Sequence, residues 1–375
     1  MKNIYIITTS DLPNNVILSH AAFAKEAGFK PVFIFPDRGN KNKYDYAYDG
    51  YECIKLKTKF NVRNHFTYVY SILKLSISLT KLLLFEKKVE TILAVDFECT
   101  LPCIFLKFKK IQLISLVNDN FSIRYNFNKN LIGFLRFFES IVYKFISNYC
   151  IFPDKIRVEL LGKITPQNVI IIENILKAET LDIKYIGNNE DNLKVLFCGW
   201  LDNTRGLELL NDLLKLSNSK VIFYLVGSGD FVQNNPEILA NERIKYFGYK
   251  TRLETLELMS RVDINMAYYN PQIIINRYAL PQKISDSFLI SCPCIINIEV
   301  ETYKAMIKAG VALSTPYFDI LKLSNVLNEL LKDKKYLANI SINMMNYSKN
   351  MISYNQLKTK AIVFYKSIYQ LSNID

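Results

Sequence analysis

Short apolar runs with almost no polar interruption recur along this chain, each followed by a loop and a stretch of helical periodicity. Residues 3–9 are the first such run. A run lacking the in–out alternation of a half-exposed strand suits a parallel sheet buried on both faces. A loop over 10–14, a helix over 16–27, Gly28 where a helix C-cap belongs and a strand over 31–35 complete one βαβ unit. Further strands are expected at 91–95, 111–117, 149–152 and 169–172, with helices over 101–108 and 131–145. After a polar, weakly periodic stretch the pattern restarts. Strands are expected at 194–198, 221–226, 244–247, 264–267 and 294–297, helices over 206–216, 252–260 and 282–289, and a mostly helical tail over 318–371. The 375 residues leave room for two cores, since single cores rarely grow past about 250 to 300 residues. The expected architecture is α/β, with two Rossmann-like domains facing across a cleft and C-terminal helices packing back on the first. The expected boundaries are residues 1–175, a linker over 176–192, a second domain over 193–350 and a closing helix over 351–375.

The charge is unevenly spread. Residues 1–175 carry 24 Lys and Arg against 15 Asp and Glu, a balance of +9 out of the chain's +12. Such a half suits an anionic surface, nucleic acid or anionic lipid, although a solvated lysine-rich exterior gives the same balance. No nucleic-acid recognition motif is present, so nucleic acid is not an expected partner. The seven cysteines are scattered without CxxC spacing, which fits thiols in a reducing compartment. With His20 and His65 as the only histidines, a multi-histidine metal site is excluded and no metal is expected. The amino terminus reads as a buried strand rather than a signal peptide, and no window reaches about 18 uninterrupted apolar residues. A cytoplasmic protein with peripheral membrane contact at most is the expectation.

Ligands of open parallel sheets bind beyond the carboxyl ends of the strands, so the residues just after each run are the informative ones. After 194–198 comes Gly199-Trp200-Leu201-Asp202-Asn203-Thr204-Arg205-Gly206. A sharp glycine turn, helix amides and a forked cation together suit a diphosphate, though a glycine turn before a helix is commonplace. After 221–226 comes Gly227-Ser228-Gly229-Asp230, which alone reads as a tight turn. The third element is Tyr278-Ala279-Leu280-Pro281-Gln282-Lys283-Ile284-Ser285-Asp286. Pro281 suits the first helical position, N1, and Lys283 then falls in the first turn. A cation there opposes the helix dipole and makes sense if it answers a bound anion. Asp286 shares its face and could hold ribose hydroxyls; a surface Lys–Asp pair is the plain alternative.

The order VLFCGWLDNTRGLELL, FYLVGSGD, IKYFGY, RYALPQKISDSFLISCPCI resembles the donor half of glycosyltransferase family 4, best over residues 194–315. In the first half LVNDN, the FES near Phe138 and IIENI occupy matching places. The resemblance implies a GT-B fold, a UDP- or GDP-linked sugar as substrate, retention at the transferred carbon and no cofactor. By position, Gly199 and Gly206 match the first glycine turn, Arg205 the basic residue on the donor diphosphate, Gly227 and Gly229 the second turn and Gly248 the third. Leu280, Pro281 and Lys283 match a Pro-x-Lys subgroup, and Asp286 the acidic residue on the ribose. Trp200 stands where relatives often have arginine, Tyr278 where they have a first acidic residue, and Asn118-Asp119 where they have His-Asp.

On that resemblance Arg205 and Lys283 would neutralise the departing diphosphate. Asp119, after the 111–117 strand, would contact the acceptor or simply cap a turn, and His20 reads as structural. Two stretches of the first half suit a membrane interface, where a polyprenyl-diphosphate-linked acceptor would wait. Over 71–85, Ser71, Lys74, Ser78 and Lys81 form an expected outward stripe. Over 131–145, Arg136 and Lys144 flank Phe134, Phe137 and Phe138. Ordinary core helices with snorkelling lysines are the alternative. The expected function is sugar transfer to a glycan or lipid-linked acceptor in surface polysaccharide synthesis (capsule, O-antigen or similar), at the inner face of the cell membrane. Rival readings are a sugar-nucleotide epimerase of the same fold, and a degenerate transferase kept as a scaffold, to which Trp200 and Tyr278 point.

Overall fold

Thirteen parallel strands form two sheets in the computed structural model, which describes residues 1–10, 15–37, 50–60, 65–85, 89–106, 109, 111–124, 128–163, 166–174, 183–351 and 353–371. The chain divides into two units, Met1–Lys177 with Ile352–Asp375, and Ala178–Met351.

The first unit holds β1 (Asn3–Ile7), β2 (Lys30–Asp37), β3 (Glu52–Lys59), β4 (Thr91–Val95), β5 (Gln112–Leu116), β6 (Tyr149–Phe152) and β7 (Val169–Ile171), in the order β3-β2-β1-β4-β5-β6-β7. All neighbours run parallel. Ile4 and Ile6 point into one core and Tyr5 and Ile7 into the other, which is why the run is apolar at every position. β3 is a strand that the apolar pattern did not indicate. Its sequence ECIKLKTK buries only Leu56 and leaves lysines outward, as an edge strand does to discourage further pairing. The expected helix over 101–108 is instead a short helix, Asp96–Thr100, followed by a 3-10 segment, Leu101–Leu106, since Pro102 supplies no amide hydrogen.

The Tyr354–Leu371 helix packs against the Asn15–Glu26 helix and buries Leu357, Ala361, Phe364, Tyr365 and Ile368, so the C-terminal segment returns to the first unit. The other sheet face is covered by the His65–Phe85 helix, the Leu101–Leu106 segment and the Lys129–Ile146 helix. Here the expected Ser71–Lys74–Ser78–Lys81 stripe needs correction. Ser71 is buried, its hydroxyl donating to the Thr67 carbonyl at 2.7 Å, and Ser78 is half-buried and bonded to the Thr58 hydroxyl. The sheet takes Tyr68, Ile72, Leu75, Leu79 and Leu83, and that rotation turns Val69, Leu73 and Ile77 outward beside Lys74 and Lys81.

The second unit holds β8 (Leu193–Trp200), β9 (Val221–Ser228), β10 (Ile244–Tyr246), β11 (Ile264–Ala267), β12 (Cys294–Asn297) and β13 (Leu313–Thr315), in the order β10-β9-β8-β11-β12-β13. Its strands carry alternate residues into cores on both faces. Of the expected linker, residues 176–182 lie outside the described residues. The remainder is bound to this unit: Tyr185 donates its amide to the Ile290 carbonyl at 3.1 Å and its hydroxyl to the Asp263 carbonyl at 3.1 Å. No helix among the described residues is long and apolar enough to cross a membrane.

Candidate functional site

In the second sheet the strand order reverses between β8 and β11, the place where parallel sheets open a crevice. The loops after these two strands are laced together. After β8, Asp202 Oδ1 accepts from the Thr204 amide at 2.7 Å and its hydroxyl at 2.6 Å, fixing the 3-10 turn Asn203–Arg205. Gly206 ends that turn at φ +86°, and a Cβ there would lie 2.6 Å from Tyr268 Cβ, so no other residue fits without displacement. After β11, the Asn270 amide donates to the Thr204 carbonyl at 2.9 Å, and Asn276 Nδ2 to the Asn270 carbonyl at 3.1 Å.

Tyr269 is the centre of the arrangement. It is buried, and its backbone is clamped from both sides by Asn297 of β12: its amide donates to Asn297 Oδ1 at 2.8 Å and its carbonyl accepts from Asn297 Nδ2 at 3.1 Å. The Arg205 guanidinium lies 4.7 Å from the ring centre and Lys283 Nζ 5.6 Å from it. Two cations, one from the turn after β8 and one from the first turn of a later helix, thus approach one aromatic ring. Among the described residues neither makes an ion pair. Two cations at one ring, neither held by a carboxylate, suit a bound anion.

Lys283 is the second residue of the Gln282–Ile290 helix. Pro281 precedes that helix at the N-cap, in extended conformation (φ −71°, ψ 131°), one residue earlier than the N1 position expected for it. Buried Asn265 of β11 fixes the helix by donating Nδ2 to the Lys283 carbonyl at 3.0 Å and to Ser287 Oγ at 2.7 Å. Leu280 is half-buried, and the turn before it is held by Thr302 Oγ1 donating to the Ala279 carbonyl at 2.6 Å. Asp286 is buried in the helix, where Arg252 Nε and Nη2 donate to its Oδ1 at 3.1 and 2.7 Å. Tyr278 ends the 3-10 segment Ile274–Tyr278.

The remaining glycines meet at the edge of the same crevice. Gly199 and Gly227 are partners in the β8–β9 register, and a Cβ on Gly227 would fall 1.8 Å from the Gly199 carbonyl oxygen. The Gly227 amide donates to the Gly248 carbonyl at 2.8 Å, which brings the end of β10 into the group. Gly229 is similarly tight, with Leu201 O at 2.1 Å from its would-be Cβ. Trp200 ends β8 with its indole exposed.

Asp119 belongs to the first unit. Its Oδ1 accepts from Arg157 Nη2 at 2.9 Å, while the same buried arginine donates to Asp154 and, through Nε at 2.6 Å, to the Asn118 carbonyl. Asp119 borders a charged group at the carboxyl ends of β4 and β5 that the sequence reading did not single out. Asp96, at φ +62°, accepts from the Asn118 amide at 2.8 Å and pairs with Arg124 at 2.9 Å. Arg124 also pairs with buried Glu98, which accepts the Tyr68 hydroxyl as well. Burial pushes the Asp96 carboxyl up to about 6, against the pull of Arg124. Glu139 is pushed up to about 7 by burial, although it accepts the Phe121 and Ser122 amides at 2.8 and 3.0 Å. The Asp-Phe-Glu run directly after the 91–95 strand was the available signal. His20 is buried with Nδ1 2.9 Å from the Tyr365 hydroxyl, and burial lowers its pKa to about 4.

The sequence matches no protein-family model, and no curated protein is significantly similar to it. Solved structures are similar along nearly the whole chain. HepE of Anabaena, solved with UDP-glucose, is 12% identical with a TM-score of 0.68, covering 98% of this chain and 100% of its own. Sucrose-phosphate synthase of Thermosynechococcus elongatus is 12% identical with a TM-score of 0.74, over 99% and 100%. WaaG, a glycosyltransferase involved in lipopolysaccharide biosynthesis, is 12% identical with a TM-score of 0.70, over 96% and 99%. Two parallel-sheet α/β units and these full-length likenesses establish that the chain has the GT-B fold of solved glycosyltransferases.

Proposed function

We propose that this chain is a glycosyltransferase that moves a sugar, with retention, from a UDP- or GDP-linked donor to a glycan or polyprenyl-diphosphate-linked acceptor in surface polysaccharide assembly. The observation that carries the reading is the meeting of Arg205 and Lys283 at the Tyr269 ring. Cleavage of the donor leaves a nucleoside diphosphate with growing negative charge, and two cations already in place stabilise it without reorganising. Gly199, Gly206, Gly227 and Gly248 keep side chains away from the backbone that faces the donor. Leu280 and Pro281 shape the approach to the helix, and Asp286, steadied by Arg252, accepts the ribose hydroxyls. Ala178–Met351 is then the donor unit, and the first unit receives the acceptor, with Asp119 a contact to it. The names of the similar structures support the setting: one was solved with UDP-glucose and another acts in lipopolysaccharide biosynthesis. Such a protein would work in the cytoplasm, at the inner face of the cell membrane.

The test is release of nucleoside diphosphate during prolonged incubation with UDP- and GDP-sugars. Slow donor hydrolysis by the wild-type protein, reduced in Arg205→Ala and Lys283→Ala, is expected. Binding of nucleotide without any release from any donor would remove catalysis from the reading.

A further inference from the structure

Three segments of the first unit lie side by side over one sheet face, the Leu101–Leu106 segment packing against both the His65–Phe85 helix and the Lys129–Ile146 helix. Each satisfies the core with one set of residues and presents a second apolar set to solvent. Val69, Leu73 and Ile77 recur every fourth residue, one helical turn apart, and Leu73 and Ile77 are each 58% exposed. Ile104 and Phe105 continue the surface. Phe134, Phe137 and Phe145 complete it, with Phe134 64% exposed. Isolated exposed hydrophobics are ordinary, but a contiguous set of large ones on neighbouring elements marks a surface that is covered in use.

Charge identifies the cover. The three segments contain Lys74, Lys81, Lys129, Arg136 and Lys144, and a single acidic residue, Glu139. Glu139 is buried and committed to the Phe121 and Ser122 amides, so it does not offset those cations at the surface. Lys74 Nζ sits 4.5 Å from the Tyr70 ring centre and Lys144 Nζ 5.8 Å from that of Phe145, so charge and aromatic surface are interleaved. A second copy of this face would set cation against cation. Aromatic and aliphatic side chains that enter the acyl boundary, ringed by cations at headgroup depth, match an anionic bilayer.

We infer that the face formed by residues 69–81, 104–105 and 134–145 docks on an anionic membrane surface, with Phe134, Phe137, Leu73 and Ile77 inserting and the lysines meeting the lipid headgroups. The docked helices lie in the interface plane, consistent with the absence of a spanning helix among the described residues. This gives physical form to the membrane partner of the proposed function, but it rests on the first unit alone, so a protein that binds membrane without binding nucleotide, or the converse, separates the two.

The experiment is co-sedimentation of the full chain with vesicles of phosphatidylcholine alone and of phosphatidylcholine mixed with phosphatidylglycerol, at low and high salt. Expected is binding to the mixed vesicles, weakened by salt, and lowered at least about tenfold in both Phe134→Ser/Phe137→Ser and Leu73→Ser/Ile77→Ser. Leu321→Ser, an exposed apolar residue of the other unit, should bind as the wild type does. Absence of binding to mixed vesicles overturns the inference. So does binding that both double variants retain, and so does a dimer in solution that the Phe134→Ser/Phe137→Ser variant converts to monomer.

Discussion

Arg252 grips Asp286 through two nitrogens, Nε at 3.1 Å and Nη2 at 2.7 Å, both on the same carboxylate oxygen. The pair ties the start of one helix to the first turns of another, and it sets how the carboxylate proposed for ribose binding can point. Arg252→Ala leaves a mostly buried carboxylate without its cation, a loss of about 2–3 kcal/mol in stability. Arg252→Lys keeps charge but loses the fork, so it should recover stability better than nucleotide affinity. Urea unfolding and nucleotide titration on the two variants check this; equal affinity in wild type and Arg252→Ala would detach Asp286 from the donor site.

Arg205→Ala and Lys283→Ala are each expected to lower donor turnover by about 10²-fold or more, with a smaller effect on the donor KM, since their charge matters most as the diphosphate leaves. Initial rates against donor concentration separate the two parameters. A change confined to KM would make them binding residues only.

Tyr269→Leu keeps a buried apolar side chain but removes the ring that both cations approach. Its effect on turnover should approach that of the single cation variants, and the Tyr269→Leu/Arg205→Ala double variant should be far from additive. Additive losses would show that the ring does not position Arg205.

Gly227→Ala forces a methyl against the Gly199 carbonyl, whose oxygen would be 1.8 Å from the new Cβ, at a φ of +135°. Backbone, not a flexible side chain, has to yield. A loss of at least about 3 kcal/mol is expected from the urea midpoint. A near-neutral result would mean that the β8 and β9 ends are not joined as described.

Stability should also depend on pH through His20, whose pKa falls from an ordinary 6.5 to about 4. The unfolded chain binds a proton that the folded one refuses, so stability from the neutral ring is complete above about 6.5 and is lost as pH falls toward about 4. Glu139 acts with the opposite sign: its raised pKa gives stability that is lost as pH rises from about 4.5 through about 7. The readout is therefore the difference between wild type and His20→Leu. That difference should turn against the wild type by about 3 kcal/mol between the two ends of the His20 window. A difference constant across it would place His20 in contact with water.

The parallel sheets were legible because burial on both faces writes itself as unbroken apolar runs such as residues 4–7 and 221–226. β3 was not, because an edge strand carries charge outward, and its Lys55, Lys57 and Lys59 break any apolar run. Gly199, Gly206 and Gly248 stood out because a left-handed turn at a strand end favours glycine whatever surrounds it, and Gly227 because the Gly199 carbonyl leaves no room for a Cβ. Tyr269 did not: an aromatic residue after a strand looks the same whether it fills a core or supports two cations. The Arg252–Asp286 pair and the Asp96–Arg124–Glu98 group join residues distant in sequence, and nothing in their local pattern announces the partner. The stretch 71–85 suggests serines facing outward because polarity usually means solvent. Here Ser71 instead satisfies its hydroxyl on its own helix, so it can be buried, and Leu73 and Ile77 face out.

The most direct test of the donor site is a thermal-shift titration with UDP, GDP, ADP and CMP. UDP or GDP is expected to raise the melting temperature, since a ligand that binds only the folded state stabilises it, and Arg205→Ala and Lys283→Ala are each expected to remove the shift. No shift with any of the four, or a shift undiminished in both variants, would contradict this expectation.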